Sequence, residues 1–172
     1  MERRWPTLLM LLLLAVTGCS GGQPETAAIR RADRISLYEG LPHPFYETEL
    51  FKKEKLEKPT VVFGGDSFYR DPLELKEADK AELRDLIGNP DSFQKFVAEK
   101  KCGGFHPDYA VEWTYGADKW ICLLCFGCGE AKVLHDKVET RFDLESKAGK
   151  QLKALLEPYR NNRPEKGPNS GP

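Results

Sequence analysis

The sequence has no long block of charge of one sign. Its 26 lysines and arginines and 27 aspartates and glutamates are interspersed, for a net charge of −1. The lysine-rich stretches 52–58 and 95–101 are both interrupted by glutamate, so each reads as a solvated face and not as a nucleic-acid footprint. Histidine is scarce, with three in 172 residues. There is no His-Glu-x-x-His metal motif, no serine nucleophile elbow and no paired-carboxylate motif, which removes the commonest hydrolytic signatures. Gly64-Gly65-Asp66-Ser67 follows a β-branched run, but it lacks the lysine of a phosphate-binding loop and reads as a plain turn. No apolar run reaches the roughly 20 residues that an α-helix needs to cross a bilayer.

What is present begins at the N-terminus. Arg3 and Arg4 precede an uncharged apolar run from Leu8 to Val16, the pattern of a signal peptide over residues 1–18. Its end, Val16-Thr17-Gly18-Cys19, resembles the lipobox of bacterial lipoproteins. That resemblance implies cleavage before Cys19 and acylation of its thiol. Two or more acyl chains, at about 0.8 kcal/mol per buried CH₂, give a stable anchor where one gives marginal binding. The expected location is extracytoplasmic, in the cell envelope and held to a membrane. Ser20 after the cysteine implies the outer membrane under sorting of the enterobacterial type.

Cleavage leaves roughly 150 residues, comfortable for one domain with one core. Residues 19–31 read as the lipidated cysteine and a flexible tether, 32–159 as the domain, and 160–172, rich in proline, glycine and asparagine, as a disordered tail. Within the domain, Ile35–Tyr38 and Thr60–Phe63 read as strands and Lys76–Ile87 as a helix stopped by Gly88-Asn89-Pro90. Residues 43–58 fit a loop or a poorly formed helix. A short helix is expected over Asp91–Glu99, with Phe93, Phe96 and Val97 inward. Tyr109–Tyr115 and Trp120–Phe126 flank Gly116-Ala117-Asp118 as a β-hairpin, and Ala131–Leu134 supplies a third strand. The second hairpin strand is apolar on both faces and is expected to be covered on both. An amphipathic helix over 144–156, capped by Asp143, closes the domain. The fold class is α+β: a small antiparallel sheet over residues 109–134 packed on two or three helices.

With Cys19 taken by lipid, Cys102, Cys122, Cys125 and Cys128 remain. If the hairpin turn is Gly116 to Asp118, Tyr109 faces Cys125, Glu112 faces Cys122, and His106 lies near Cys128. Cys122 and Cys125 sit three apart on one strand, about 10 Å apart and on opposite faces, too far to bridge. Cys122 is then a small buried hydrophobe without need of a partner. Cys102, Cys125, Cys128 and His106 gather at the open end of the hairpin.

Three readings of that cluster stay open. The first is a structural disulfide from Cys102 to Cys125 or Cys128, favoured by the oxidising compartment that export implies. The second is a zinc site with Cys102, His106, Cys125 and Cys128 as its four ligands. The third is a redox pair, Cys125-Phe126-Gly127-Cys128, although this motif leaves a strand into a turn and lacks the helix N-terminus that lowers a thiol pKa. Haem attachment is excluded because Gly129 stands where the histidine belongs. An iron–sulfur cluster would need Cys122 on the wrong face. The repeat of His43-Pro44-Phe45-Tyr46 in His106-Pro107-Asp108-Tyr109 reads as coincidence, and His135 as a surface or core residue.

The segments Tyr38–His43, Cys102–His106 and Ile121–Glu130 resemble small exported proteins and lipoproteins of planctomycete-type bacteria to which no activity is assigned. The resemblance implies an exported location and places Cys102, Cys125 and Cys128 in the group's pattern. The functional expectation is a membrane-anchored envelope lipoprotein, a non-enzymatic binding or structural module with one disulfide and without cofactor, whose partner is an envelope protein or ligand. The alternative is a zinc-binding or thiol-redox protein.

Overall fold

The computed structural model describes residues 24–163. The leader over 1–18, Cys19 and the expected tail from residue 164 onward lie outside the described residues. Two short turns open the described chain: α1, Pro24–Ala27, and a 3-10 turn, Ala28–Arg31. There follow β1 Arg34–Glu39, α2 Thr48–Glu57, β2 Thr60–Phe63, β3 Asp66–Tyr69, α3 Glu77–Gly88, β4 Phe93–Lys95, β5 Tyr109–Tyr115, β6 Asp118–Cys125, β7 Glu130–His135, β8 Val138–Leu144 and α4 Ser146–Leu156. No helix among the described residues is long and apolar enough to cross a membrane.

The architecture is α+β. Six antiparallel strands form one sheet in the order β1-β5-β6-β7-β8-β4, and β2 and β3 form a separate hairpin. Strand β6 explains the layering. Cys122 and Leu124 point to one face, where Leu83 and Ile87 of α3 and Leu152 and Leu156 of α4 cover them together with Leu37, Val111, Trp113 and Val133. Leu123 points to the other face, where Phe63 and Phe68 of the β2–β3 hairpin pack on it and on Ala110. The both-sided burial expected of this strand is therefore supplied by helices on one side and by a second, two-stranded layer on the other.

The hairpin register differs by one residue from the expected one. Tyr115 pairs with Asp118, so the turn has two residues, Gly116-Ala117, in place of three. Gly116 takes φ +60°, the left-handed conformation that the first central position of such a tight turn demands. In consequence Tyr109 faces Leu124 and Val111 faces Cys122, whereas Glu112 faces Ile121 on the opposite side of the sheet. Cys122 thus sits against an aliphatic neighbour and not opposite a carboxylate.

Three further expectations are corrected. The helix over Asp91–Glu99 does not form: a 3-10 turn at Pro90–Ser92 leads into β4, which pairs with β8 and sets Phe93 edge-on to Phe142 at 5.6 Å. Sheet pairing buries Phe93 outright, whereas helical spacing would have had to bury Val97, which is exposed. The cap of α4 is Glu145, whose Oε2 accepts the N–H groups of Lys147 and Ala148 at 2.8 and 2.9 Å, while Asp143 belongs to β8. Finally, the ordered chain starts before residue 32. Ile29 is fully buried against α3, so residues 24–31 are part of the fold and not a free tether.

Because Cys122 packs only as a small apolar group, Cys122→Ala should lower stability by no more than about 1 kcal/mol. Denaturant unfolding measures this, and loss of folding in that variant would contradict the placement.

Candidate functional site

The open end of the β5–β6 hairpin carries the site. Gly40, just beyond β1, donates its N–H to Asp108 O at 2.8 Å, and Asp108 donates its N–H to Leu124 O at 2.7 Å. The exit of β1, the entry of β5 and the end of β6 are thereby held side by side. A cavity of about 510 Å³ opens there, and Cys102, His106, Cys125 and Cys128 all line it. The four residues expected to cluster are brought together.

Cys102 and Cys128 are joined by a disulfide across 26 residues, with Cα atoms 5.6 Å apart. The bridge ties the loop before β5 to the turn between β6 and β7. The Gly104 carbonyl lies 3.6 and 3.5 Å from the two sulfurs, a packing contact, because bridged sulfurs carry no proton to donate. Gly103 takes φ +86° and presses against the Tyr46 ring, where a Cβ would come within 2.5 Å. Glycine is thus what lets Cys102 turn toward Cys128 under that ring. Closing a loop of this length stabilises the fold by about 3 kcal/mol through the unfolded chain.

Cys125 is a buried free thiol at the same end. Its Sγ accepts the Cys128 N–H at 3.4 Å and the His106 backbone N–H. Those bonds favour the thiolate, but burial outweighs them, and nearby Asp108 and Glu130 act in the same direction as burial. The thiol is pushed up to about 11. It is therefore protonated at neutral pH and a poor nucleophile.

The zinc ligand set expected from the sequence loses two thiolates to the bridge. The His106 ring is oriented by the backbone carbonyls of Leu41 and Pro42. Burial, helped by the neighbouring Arg163 and His43, drives His106 down to about 3, so the ring stays neutral. Among the described residues, no group of three or more His, Cys, Asp or Glu is arranged to hold a metal ion.

The two His-Pro-x-Tyr segments, read as coincidence, meet through their histidines. The rings of His43 and His106 lie 4.6 Å apart, tilted by 40°. His43 Nδ1 accepts the N–H groups of Phe45 and Tyr46 at 3.1 and 3.3 Å, which fixes the turn that places Tyr46 over Gly103. His135 lies elsewhere, stacked on Trp120 at 4.6 Å. Gly64-Gly65 is the two-residue turn of the β2–β3 hairpin.

A polar network that sequence reasoning missed forms the rest of the site. Glu39 is 1 % exposed, and its carboxylate accepts three backbone N–H groups, from Asn161, Asn162 and Arg163, at 3.0, 2.7 and 2.9 Å. The Arg163 guanidinium donates to Gly40 O and Leu41 O at 3.2 and 2.5 Å and pairs with Asp108 at 3.5 Å. Asp108 in turn accepts the Phe126 N–H at 2.8 Å, reaching the cysteine turn. Residues 161–163, expected to belong to a disordered tail, are bound here by paired charge and backbone. A signal was available in principle: Glu39 ends an apolar alternation on the inward side, where a carboxylate needs partners.

Compared with protein-family models, curated proteins and solved structures, the chain matches none. The site's own geometry is a disulfide-braced pocket with a protonated thiol, a neutral His106 packed on His43 and a lining of both charge signs.

Glu39→Gln replaces an acceptor-only group with an amide that cannot take all three N–H bonds. It should cost about 1–3 kcal/mol in unfolding experiments and speed tryptic cleavage after Arg160. The raised Cys125 thiol gives a second expectation. Its alkylation by iodoacetamide in the folded protein should be slow at pH 7 and rise about tenfold per pH unit toward pH 10, and a rate that is already flat above pH 8 would contradict the site described.

Proposed function

We propose that this chain is a membrane-anchored lipoprotein of the bacterial cell envelope, lipidated at Cys19, whose domain is a non-enzymatic binding module. The observation that carries the reading is the Cys102–Cys128 bridge in the wall of the pocket. Bridges of this kind persist in oxidising compartments, in line with a chain whose leader resembles that of exported lipoproteins.

The pocket suits binding better than catalysis. Cys125 is held protonated and His106 neutral, and both are engaged by backbone groups. The lining carries Lys101, Lys153 and Arg160 as well as Glu47 and Glu157, a mixed polarity that fits a peptide segment of an envelope protein better than a lipid tail or a nucleic acid. The floor already holds peptide: Glu39 grips the backbone of residues 161–163.

Expression of the full chain in a bacterial host, followed by membrane fractionation and intact-mass measurement, tests the proposal. The expected result is a membrane-bound protein that starts at an acylated Cys19, has lost two hydrogens from its thiols and carries no metal. Cys19→Ser should move it to the soluble fraction or leave the leader attached. An unacylated wild-type protein retained inside the cell overturns the anchor, and bound zinc with free thiols overturns the bridge in favour of metal binding.

A further inference from the structure

We propose that Cys102, Cys125 and Cys128 form a thiol–disulfide exchange site, in which the bridge passes from Cys102–Cys128 to Cys125–Cys128 and releases Cys102 as a free thiol at the pocket. This goes beyond a purely structural bridge and does not depend on the lipid anchor.

Three observations carry it. First, the free thiol lies against one of the two bridged residues: Cys125 Sγ accepts the backbone N–H of Cys128 at 3.4 Å. The other free cysteine, Cys122, is buried in the helix-side core and takes no part. Second, the attacked residue sits in the short turn that directly follows the attacking one. Cys125 pairs with Glu130, so residues 126–129 form the connection, and a side chain added at either Gly127 or Gly129 would meet nothing within 4 Å. Third, the leaving residue can depart. Cys102 is half-buried and is followed by Gly103 and Gly104, both in left-handed conformations, in a loop outside any strand or helix.

The step is balanced without an external oxidant. The Cys125 thiolate, its proton given to water, attacks Cys128 Sγ. The Cys125–Cys128 bond forms, the Cys102–Cys128 bond breaks, and Cys102 leaves as a thiolate that takes up a proton. One disulfide and one thiol are present before and after. The product replaces a crosslink of long sequence separation with a local one, so the exchange loosens the loop before β5 from the sheet while leaving the strands paired. Burial of Cys125 makes the exchange slow in the folded protein.

The sequence provides a clean assay. Trypsin separates a peptide 102–119 that contains Cys102 from a peptide 120–132 that contains Cys122, Cys125 and Cys128. The wild-type protein is incubated in a buffer of reduced and oxidised glutathione, quenched in acid, labelled with N-ethylmaleimide under denaturing conditions and digested. The proposal expects a growing fraction of peptide 120–132 with an internal disulfide and one label, together with labelled peptide 102–119. If the two peptides stay crosslinked at every time, with label only on Cys122 and Cys125, the proposal is overturned. The variant Cys102→Ser gives an independent answer. Peptide 120–132 should then carry an internal bridge and a single label at Cys122, and three labels in a folded protein overturn the proposal. Where that variant fails to fold, the wild-type time course decides.

Discussion

Strand β6 must be covered on both faces, and most of the architecture follows from that requirement. Cys122 and Leu124 on one side and Leu123 on the other are completely buried, and a single sheet cannot shield both. Helices α3 and α4 with the N-terminal turn supply one cover, and the β2–β3 hairpin supplies the other. At about 25 cal/mol per Å² of apolar area removed from water, each uncovered face would forfeit several kcal/mol, a large part of the stability of a domain this size. The strand is thereby fixed at the centre of its sheet, and its end, Cys125, is fixed at the place where the pocket opens.

Past that end the apolar logic stops and a polar one takes over. The Glu39 carboxylate is buried, which would be costly if it lacked partners, and it finds three backbone N–H groups from one short segment. The buried charge of Arg163 is met by Asp108 and two carbonyls. Asp108 reaches in turn to Phe126 beside the cysteines. Three strand ends, the last described residues and the cysteine turn thus share one hydrogen-bonded cluster. Networks of this kind are sensitive to the loss of any member, because the remaining partners are left desolvated and unpaired.

How much of this is legible in the sequence depends on the range of the interaction. The hairpin, its doubly apolar strand, helix α3 and the isolation of Cys122 follow from local pattern, and so does the gathering of Cys102, Cys125, Cys128 and His106. The choice of Cys128 over Cys125 as the bridged partner does not, since both lie within a turn of one another and only the path of the loop before β5 decides it. Strand β8 alternates from Val138 to Leu144, a readable signal that competes with the helical spacing beginning at Leu144. Strand β4 is readable only through its partner, because three residues carry no periodicity. The role of Glu39 was hidden for a similar reason: its partners lie more than 120 residues away in a segment whose composition alone suggests disorder. Composition describes what a segment can bury, and residues 161–163 are ordered by charge and backbone instead.

The disulfide finds its physical place in the one long irregular stretch of the domain. Between β4 and β5, residues 96–108 have no regular element, and connections of such length are uncommon in a compact fold unless something ties them down. Apolar anchoring there is thin: Phe105 packs beside the β2–β3 hairpin with the Lys132 ammonium 4.5 Å from its ring centre, Phe96 lies under the Arg141 guanidinium, and Val97 is exposed. A crosslink at Cys102 supplies what burial does not. It also joins the loop to the turn after β6, so the bond that orders the loop is part of the pocket wall. Loop order and pocket wall therefore meet at one covalent link, and any chemistry that moves that link acts on both at once.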